Sequence, residues 1–407
     1  MSTTSVRTGL SAWRFITTFG VVSLLMDIVY EGARSITGPL LAGLGASAVV
    51  VGVVTGAGEA AALGLRLVSG PLADRTRRFW TWTIAGYALT AAAVPPLGVA
   101  GAVWVASALV IAERVGKAVR SPAKDTLVSH AAAVTGRGKG FAVHEAMDQV
   151  GALIGPLTVA GVLALTGDDY APALGVLALP AIAALVVLFW LRRRVPDPAR
   201  YEPDHPAATA TTTVESARRL PRAFWVYAAF TATTLTGFAT FGVLSFHLVR
   251  QHLLPVAAVP LVYAAAMAAD ALAALATGWL YDRGGRMSLA ILPVLAAATP
   301  LLAFTRTAWL AIVGSLLWGA AVGIQESTLR ARVADLVPPG RRATAYGVFA
   351  DILGGATLIG GALTGALYDY SIPVLIVTVA AIQAVAIVLL WATRTRASDA
   401  PSAMPWK

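Results

Sequence analysis

Apolar stretches of about 20 residues recur from one end of this chain to the other, broken only at Gly, Pro and charge clusters. Each is long enough to cross a hydrocarbon core of roughly 30 Å as a helix, and little chain is left over for a soluble domain. Of the 407 residues, 57% are hydrophobic and 13% charged, and the mean hydropathy of +0.72 lies far from a soluble balance. The reading is an all-α membrane protein. The first stretch is too long for a secretory signal and has no Ala-x-Ala-like cleavage site before its charges, so it is read as a retained helix. Without cysteine there is no disulfide, no thiolate metal site and no cysteine nucleophile.

The breaks predict twelve transmembrane helices, near 11–37, 47–70, 80–97, 101–120, 139–166, 171–191, 222–250, 256–280, 288–306, 308–330, 341–369 and 371–393. Residues 192–221 are polar and rich in Pro and Thr, and read as a linker between six-helix units spanning 1–191 and 222–393, with a tail at 394–407. Under this layout 27 of the 31 Lys and Arg fall in or around the two tails and alternate loops on one side. The positive-inside rule then makes both termini and the linker cytoplasmic, in the cell's inner membrane. A formal charge of +10 is thereby read as topology and not as nucleic-acid binding.

The two units resemble each other. "GPLADRTRR" from Gly70 recurs as "GWLYDRGGR" from Gly278, 208 residues later. "GRGKGFAVHEAMDQVGALIGPL" from Gly136 parallels "GRRATAYGVFADILGGATLIGGAL" from Gly340. A duplicated six-helix unit is how many secondary transporters place a site at the membrane midplane.

Gly-x-x-x-Asp-Arg followed by basic residues, after helices two and eight, resembles the loop signature of the major facilitator superfamily (MFS). Gly70, Asp74, Arg75, Arg77 and Arg78 carry the first copy, without the internal glycine usual there; Gly278, Asp282, Arg283, Gly285 and Arg286 carry the second in full. The segments around Glu113 and His144 are similar to a bacterial branch of that superfamily. The resemblance implies two pseudo-symmetric six-helix bundles that rock about a central cavity lined by helices one, four, seven and ten. It makes the signature a conformational gate, Asp74 accepting hydrogen bonds from a helix N-terminus or from arginines. "GALIGP", with Gly151, Gly155 and Pro156, is similar to the helix-five motif of the superfamily's antiporters and favours export. Plain small-residue packing is the alternative.

Charges inside helices carry most of the functional information, because each costs a few kcal/mol unless paired or hydrated. Asp27, Glu31 and Arg34 share one face of helix one. At about 1.5 Å per residue Asp27 and Glu59 lie level near the midplane, with Glu31 and Arg34 nearer the outer mouth. The expectation is a coupling proton carried by Asp27 together with Glu59 or Glu31, with Arg34 as ion-pair partner or substrate contact. Glu113, Arg114 and Lys117 on helix four come level with His144, Glu145 and Asp148 on helix five, and read as a charge network with ion pairs between the two sets. Arg114 and Glu113 are also candidates for the cavity wall. In helix seven Thr231, Thr233, Thr234, Thr236 and Thr240, with Phe238 and Phe241, make an uncharged wall suited to an amphipathic solute, although threonine also bonds to its own helix. Asp270, Gln325 and Glu326 are the polar exceptions in the second unit.

These residues point to a monomeric secondary transporter of a small organic solute, with proton-coupled export ahead of import. The partners are solute, protons and lipid, with no cofactor and no nucleic acid. A uniporter or metal carrier is the competing reading, although no spacing of His and carboxylates makes a metal site. Enzymatic activity is not expected, since no nucleophile constellation or nucleotide-binding loop is present.

Overall fold

The computed structural model describes residues 10–201, 220–284, 289–338 and 341–392. The described residues are helical throughout, without strands. The first unit runs α1 (Ala12–Gly43), α2 (Ala48–Gly64), α3 (Arg66–Thr76), α4 (Phe79–Leu97), α5 (Val103–Thr135), α6 (Arg137–Thr166), α7 (Tyr170–Gly175) and α8 (Ala178–Arg194). The second runs α9 (Arg222–Thr236), α10 (Phe241–Arg250), α11 (Val259–Gly284), α12 (Ile291–Ala303), α13 (Ala308–Leu336), α14 (Arg342–Tyr370) and α15 (Ile372–Ala392).

Among the described residues nine helical segments are long and apolar enough to cross a membrane, counting α2–α3, α7–α8 and α9–α10 as one each. Helix α12 has only 13 residues. Helix α5 carries Glu113, Arg114, Lys117, Arg120, Lys124 and Asp125, too many charges for an apolar span.

Several boundaries depart from expectation. Helix α5 continues fifteen residues past the predicted end at 120, so the expected loop at 121–138 is helix to Thr135. Gly70 is no helix exit: it lies inside α3, where Pro122 of α5 is its nearest neighbour. The left-handed residue that ends α3 is Arg77, at φ 52°. The linker is not free from residue 192, because α8 runs to Arg194 and the next residues are docked. Trp80 donates its indole N–H to the Pro196 carbonyl at 3.1 Å, and the Tyr201 hydroxyl donates to the Leu10 carbonyl at 2.6 Å.

Apolar packing divides by unit. One buried cluster comprises residues between Phe224 and Leu390; two others draw on Phe15 to Val195, with Phe246 as the one buried member from beyond. Contact across the units runs along α2 with α14, α1 with α10 and α6 with α11. Gly52 and Gly361 meet across the first of these seams, where a Cβ on either would strike the other's carbonyl oxygen.

At the end where α2 begins, two carboxylates bridge the units. Asp369, in the last turn of α14, accepts hydrogen bonds from the backbone N–H groups of Ala48 (3.1 Å) and Val49 (2.9 Å) at the start of α2. Asp168, just past α6, accepts from the Ala257 N–H at 3.0 Å, in the 3-10 turn that leads into α11. Each satisfies donors that a helix start leaves open. The two sit at equivalent ends of the repeated segments.

Candidate functional site

The span containing α9 and α10 is broken at residues 237–240, and the break forms one wall of a central cavity of about 90 Å³. Backbone that leaves the helix inside a membrane must find partners. Here Gln383 of α15 donates to the carbonyls of Thr234 (2.9 Å) and Gly237 (3.1 Å), and the Trp318 indole donates to that of Ala239 (2.9 Å). Phe238 stacks on Trp318, with 6.3 Å between ring centroids, and Phe241 lies 5.2 Å from the same ring. Thr240 hydrogen-bonds Thr55 of α2 at 2.8 Å, closing the cavity on that side.

Arg34 on α1, Glu59 on α2 and Arg114 on α5 line the opposite wall, with Gln325 and Glu326 of α13 also facing the cavity. Glu59 binds Arg34 at 2.9 Å and Arg114 at 3.3 Å, and Arg114 reaches Glu113 at 3.2 Å. Glu31 is buried, 3.7 Å from Arg34, and accepts a hydrogen bond from the Tyr263 hydroxyl of α11 in the other unit. Tyr30 was missed by the sequence reading and anchors this group. Its buried hydroxyl accepts hydrogen bonds from Arg114, from Lys117 at 2.8 Å and from Arg34 at 3.4 Å. The Lys117 ammonium also lies 4.0 Å from the centre of its ring.

Asp27 belongs to a second group, away from Glu59. It packs against Gly151 of α6, and the charged groups acting on it are Asp148, Arg120, Lys117 and Lys124. Among the described residues no cation lies within ion-pair distance of it. Asp148 lies 3.7 Å from Lys124 and 3.4 Å from His144, whose other ring nitrogen is 3.1 Å from Ser23.

Several expectations are therefore corrected. Asp27 and Glu59, expected to act together, have different neighbours: Glu59 is taken by two arginines and Asp27 packs against Gly151. Arg34 lies at the central cavity and not at an outer mouth. The single charge network is two networks: among the described residues no ion pair joins Glu113, Arg114 or Lys117 to His144, Glu145 or Asp148, since Lys124 reaches Asp148 first. Glu145 is exposed, near Gln149. Thr233 and Thr236 do not line the cavity, and the Thr233 hydroxyl returns to its own helix at Ala229, 2.8 Å away.

A wide cleft of about 750 Å³ runs from Leu63, which it shares with the cavity, to the end bearing the loop signature. Asp74 and Asp125 line it, facing Tyr346 and Ala350 of α14. Among the described residues Asp74 has no hydrogen bond or ion pair, so the expected cap on a neighbouring helix is not made. Arg75 and Arg78 are exposed. In the second copy Gly278 has open space beside it and Arg283 stacks on Trp279 at 3.8 Å; the Asp282 side chain, Gly285 and Arg286 lie outside the described residues. Gly151 and Gly155 bring α6 against the carbonyls of Leu24 and Ile28 on α1, just before Pro156.

The comparisons agree with this geometry. An uncharacterized protein of Mycobacterium tuberculosis (strain H37Rv) is 66% identical over 390 residues, covering 96% of this chain and 95% of the relative. An uncharacterized MFS-type transporter of Methanocaldococcus jannaschii is 23% identical over 371 residues, covering 86% and 88%. Among solved structures, the nucleoside transporter NupG superposes with a TM-score of 0.74 at 13% identity, covering 93% of this chain and 99% of that one. A bacterial homolog of the human lysosomal transporter Spinster, inward-facing and unoccupied, gives 0.68 at 16% identity, covering 96% and 99%. The family model described as Major Facilitator Superfamily matches residues 15–355 and 236–405. The chain is thus a multi-pass membrane transporter of small molecules, not an enzyme, and belongs to the major facilitator superfamily.

Proposed function

We propose that this transporter has twelve spans in two six-helix bundles, residues 1–191 and 222–393, and exports a small amphipathic organic solute in exchange for protons. The observation that carries the reading is the cavity. A discontinuous helix with side-chain-capped carbonyls forms one wall and an ion-paired wall faces it, the arrangement by which secondary transporters hold solutes between repeats. The open cleft lies at the basic end, which the positive-inside rule makes cytoplasmic, and the Asp168 and Asp369 caps close the other. The conformation is then inward-facing, with those two carboxylates as the outer latch.

Lining charges balance, Arg34 and Arg114 against Glu59 and Glu326, which favours a neutral or zwitterionic solute over one with net charge. Phe238, Phe241 and Trp318 suit an apolar or aromatic body. That structural neighbours are described as nucleoside and peptide transporters supports a polar organic solute of that size. Coupling is assigned to Asp27, a carboxylate inside α1 with no cation within ion-pair distance among the described residues, with the charge of Asp148 acting on it and Lys124 and His144 holding Asp148 in place. Export follows the helix-five resemblance.

A thermal-shift screen of the purified protein against nucleosides, dipeptides and aromatic zwitterions at pH 6 and pH 8 tests the class, because a ligand of the native state raises its melting midpoint. Hits are expected at both pH values, and an imposed pH gradient should drive their transport in proteoliposomes with chelator present. Stabilisation by divalent metal alone, with no organic hit, would overturn the reading in favour of an ion carrier.

A further inference from the structure

At the basic end α4 begins beside the end of α8, and a cleft of about 510 Å³ lies between them. Arg77 and Arg78 from the turn before α4 and Arg192 and Arg193 from the last turn of α8 line it, and no acidic residue does. All four arginines are exposed, and among the described residues none is in an ion pair. Topology requires cations at this end, but it does not require them to converge on one cleft, where they repel one another. The first turn of α4, residues 79–81, also lines the cleft, and its N-cap residue Arg78 supplies no side-chain acceptor. The hydrogen bond from Trp80 to Pro196 braces the wall.

The cleft opens onto apolar surface. Ile182, Val186 and Phe189 are 60%, 62% and 46% exposed and share one face of α8 with Arg193 by their spacing. A ligand with an anionic head and an apolar tail fits both parts, and a soluble anion fits only one.

We propose that this cleft binds the headgroup of an acidic glycerophospholipid, with its phosphate among Arg77, Arg78, Arg192 and Arg193 and its acyl chains along α8. Basic pockets at the cytoplasmic level of transmembrane helices have the charge and depth for such headgroups.

The test counts lipids retained on the purified full-length protein by native mass spectrometry after adding dioleoylphosphatidylglycerol, dioleoylphosphatidylcholine or glycerol 3-phosphate. The variant R77Q/R192Q/R193Q is compared with a charge-matched control, R14Q/R200Q/R222Q, at exposed arginines outside the cleft. At about fivefold per arginine, the first should lose roughly 100-fold of its affinity for phosphatidylglycerol and the control less than threefold, with phosphatidylcholine unaffected by either. Equal loss in both variants would reduce the effect to diffuse charge and overturn the proposal, as would full retention by the first. Displacement of the lipid by glycerol 3-phosphate would make the cleft a soluble phosphate site, which also overturns it.

Discussion

Tyr30 holds together the best-defined charged group in the molecule, since three cations from α1 and α5 converge on one buried hydroxyl. Tyr30→Phe leaves those donors competing for Glu59 and Glu113, and removal of a buried hydrogen-bond partner costs about 1–3 kcal/mol. A lower denaturation midpoint of the purified protein is the expected result. Glu59→Gln goes further, because it strips the one carboxylate shared by Arg34 and Arg114. The expected loss is of order 3 kcal/mol, and solute-dependent stabilisation should vanish with it. Asp27, Glu31 and Arg34 could be found from sequence because the i, i+4, i+7 spacing is visible in one helix. Tyr30 could not, as its value comes from Arg114 and Lys117, more than eighty residues away. Nor could the choice of partner for Asp27: depth along a helix can be counted, but rotation about its axis is set by packing, here by Gly151.

At the scale of elements, the broken α9–α10 span and the two acidic caps are the parts that must change shape. Gln383→Ala removes both donors to the freed carbonyls of Thr234 and Gly237, and should cost about 1–3 kcal/mol while lowering transport more than surface expression. Asp168→Ala and Asp369→Ala each remove a cap between units, worth about 1 kcal/mol. Together they should shift the population toward an outward-open form, measured as a longer distance between spin labels on the ends of α2 and α14. An unchanged distance distribution would show that the glycine seam alone closes that end. The helices themselves were legible, because runs of twenty apolar residues leave few alternatives. Their interruptions were not: Gly237 alone marks the break in α9–α10, and its capping donors come from α13 and α15. The extension of α5 was hidden because Lys124 and Asp125 read as loop residues, whereas Lys124 reaches Asp148 of α6 and Asp125 lines the cleft.

For the whole molecule, the duplicated signature carried the resemblance to the superfamily, and membership of the superfamily bears that resemblance out. The account beyond family rests on Asp27. If it carries the coupling proton, solute added to proteoliposomes should move protons across the membrane, and Asp27→Asn should abolish that movement while leaving solute binding and solute-for-solute exchange intact. Proton flux on solute addition, measured with a pH-sensitive dye in the lumen, is therefore the direct test. Loss of flux with retained exchange is the predicted result, and wild-type flux in Asp27→Asn would contradict it.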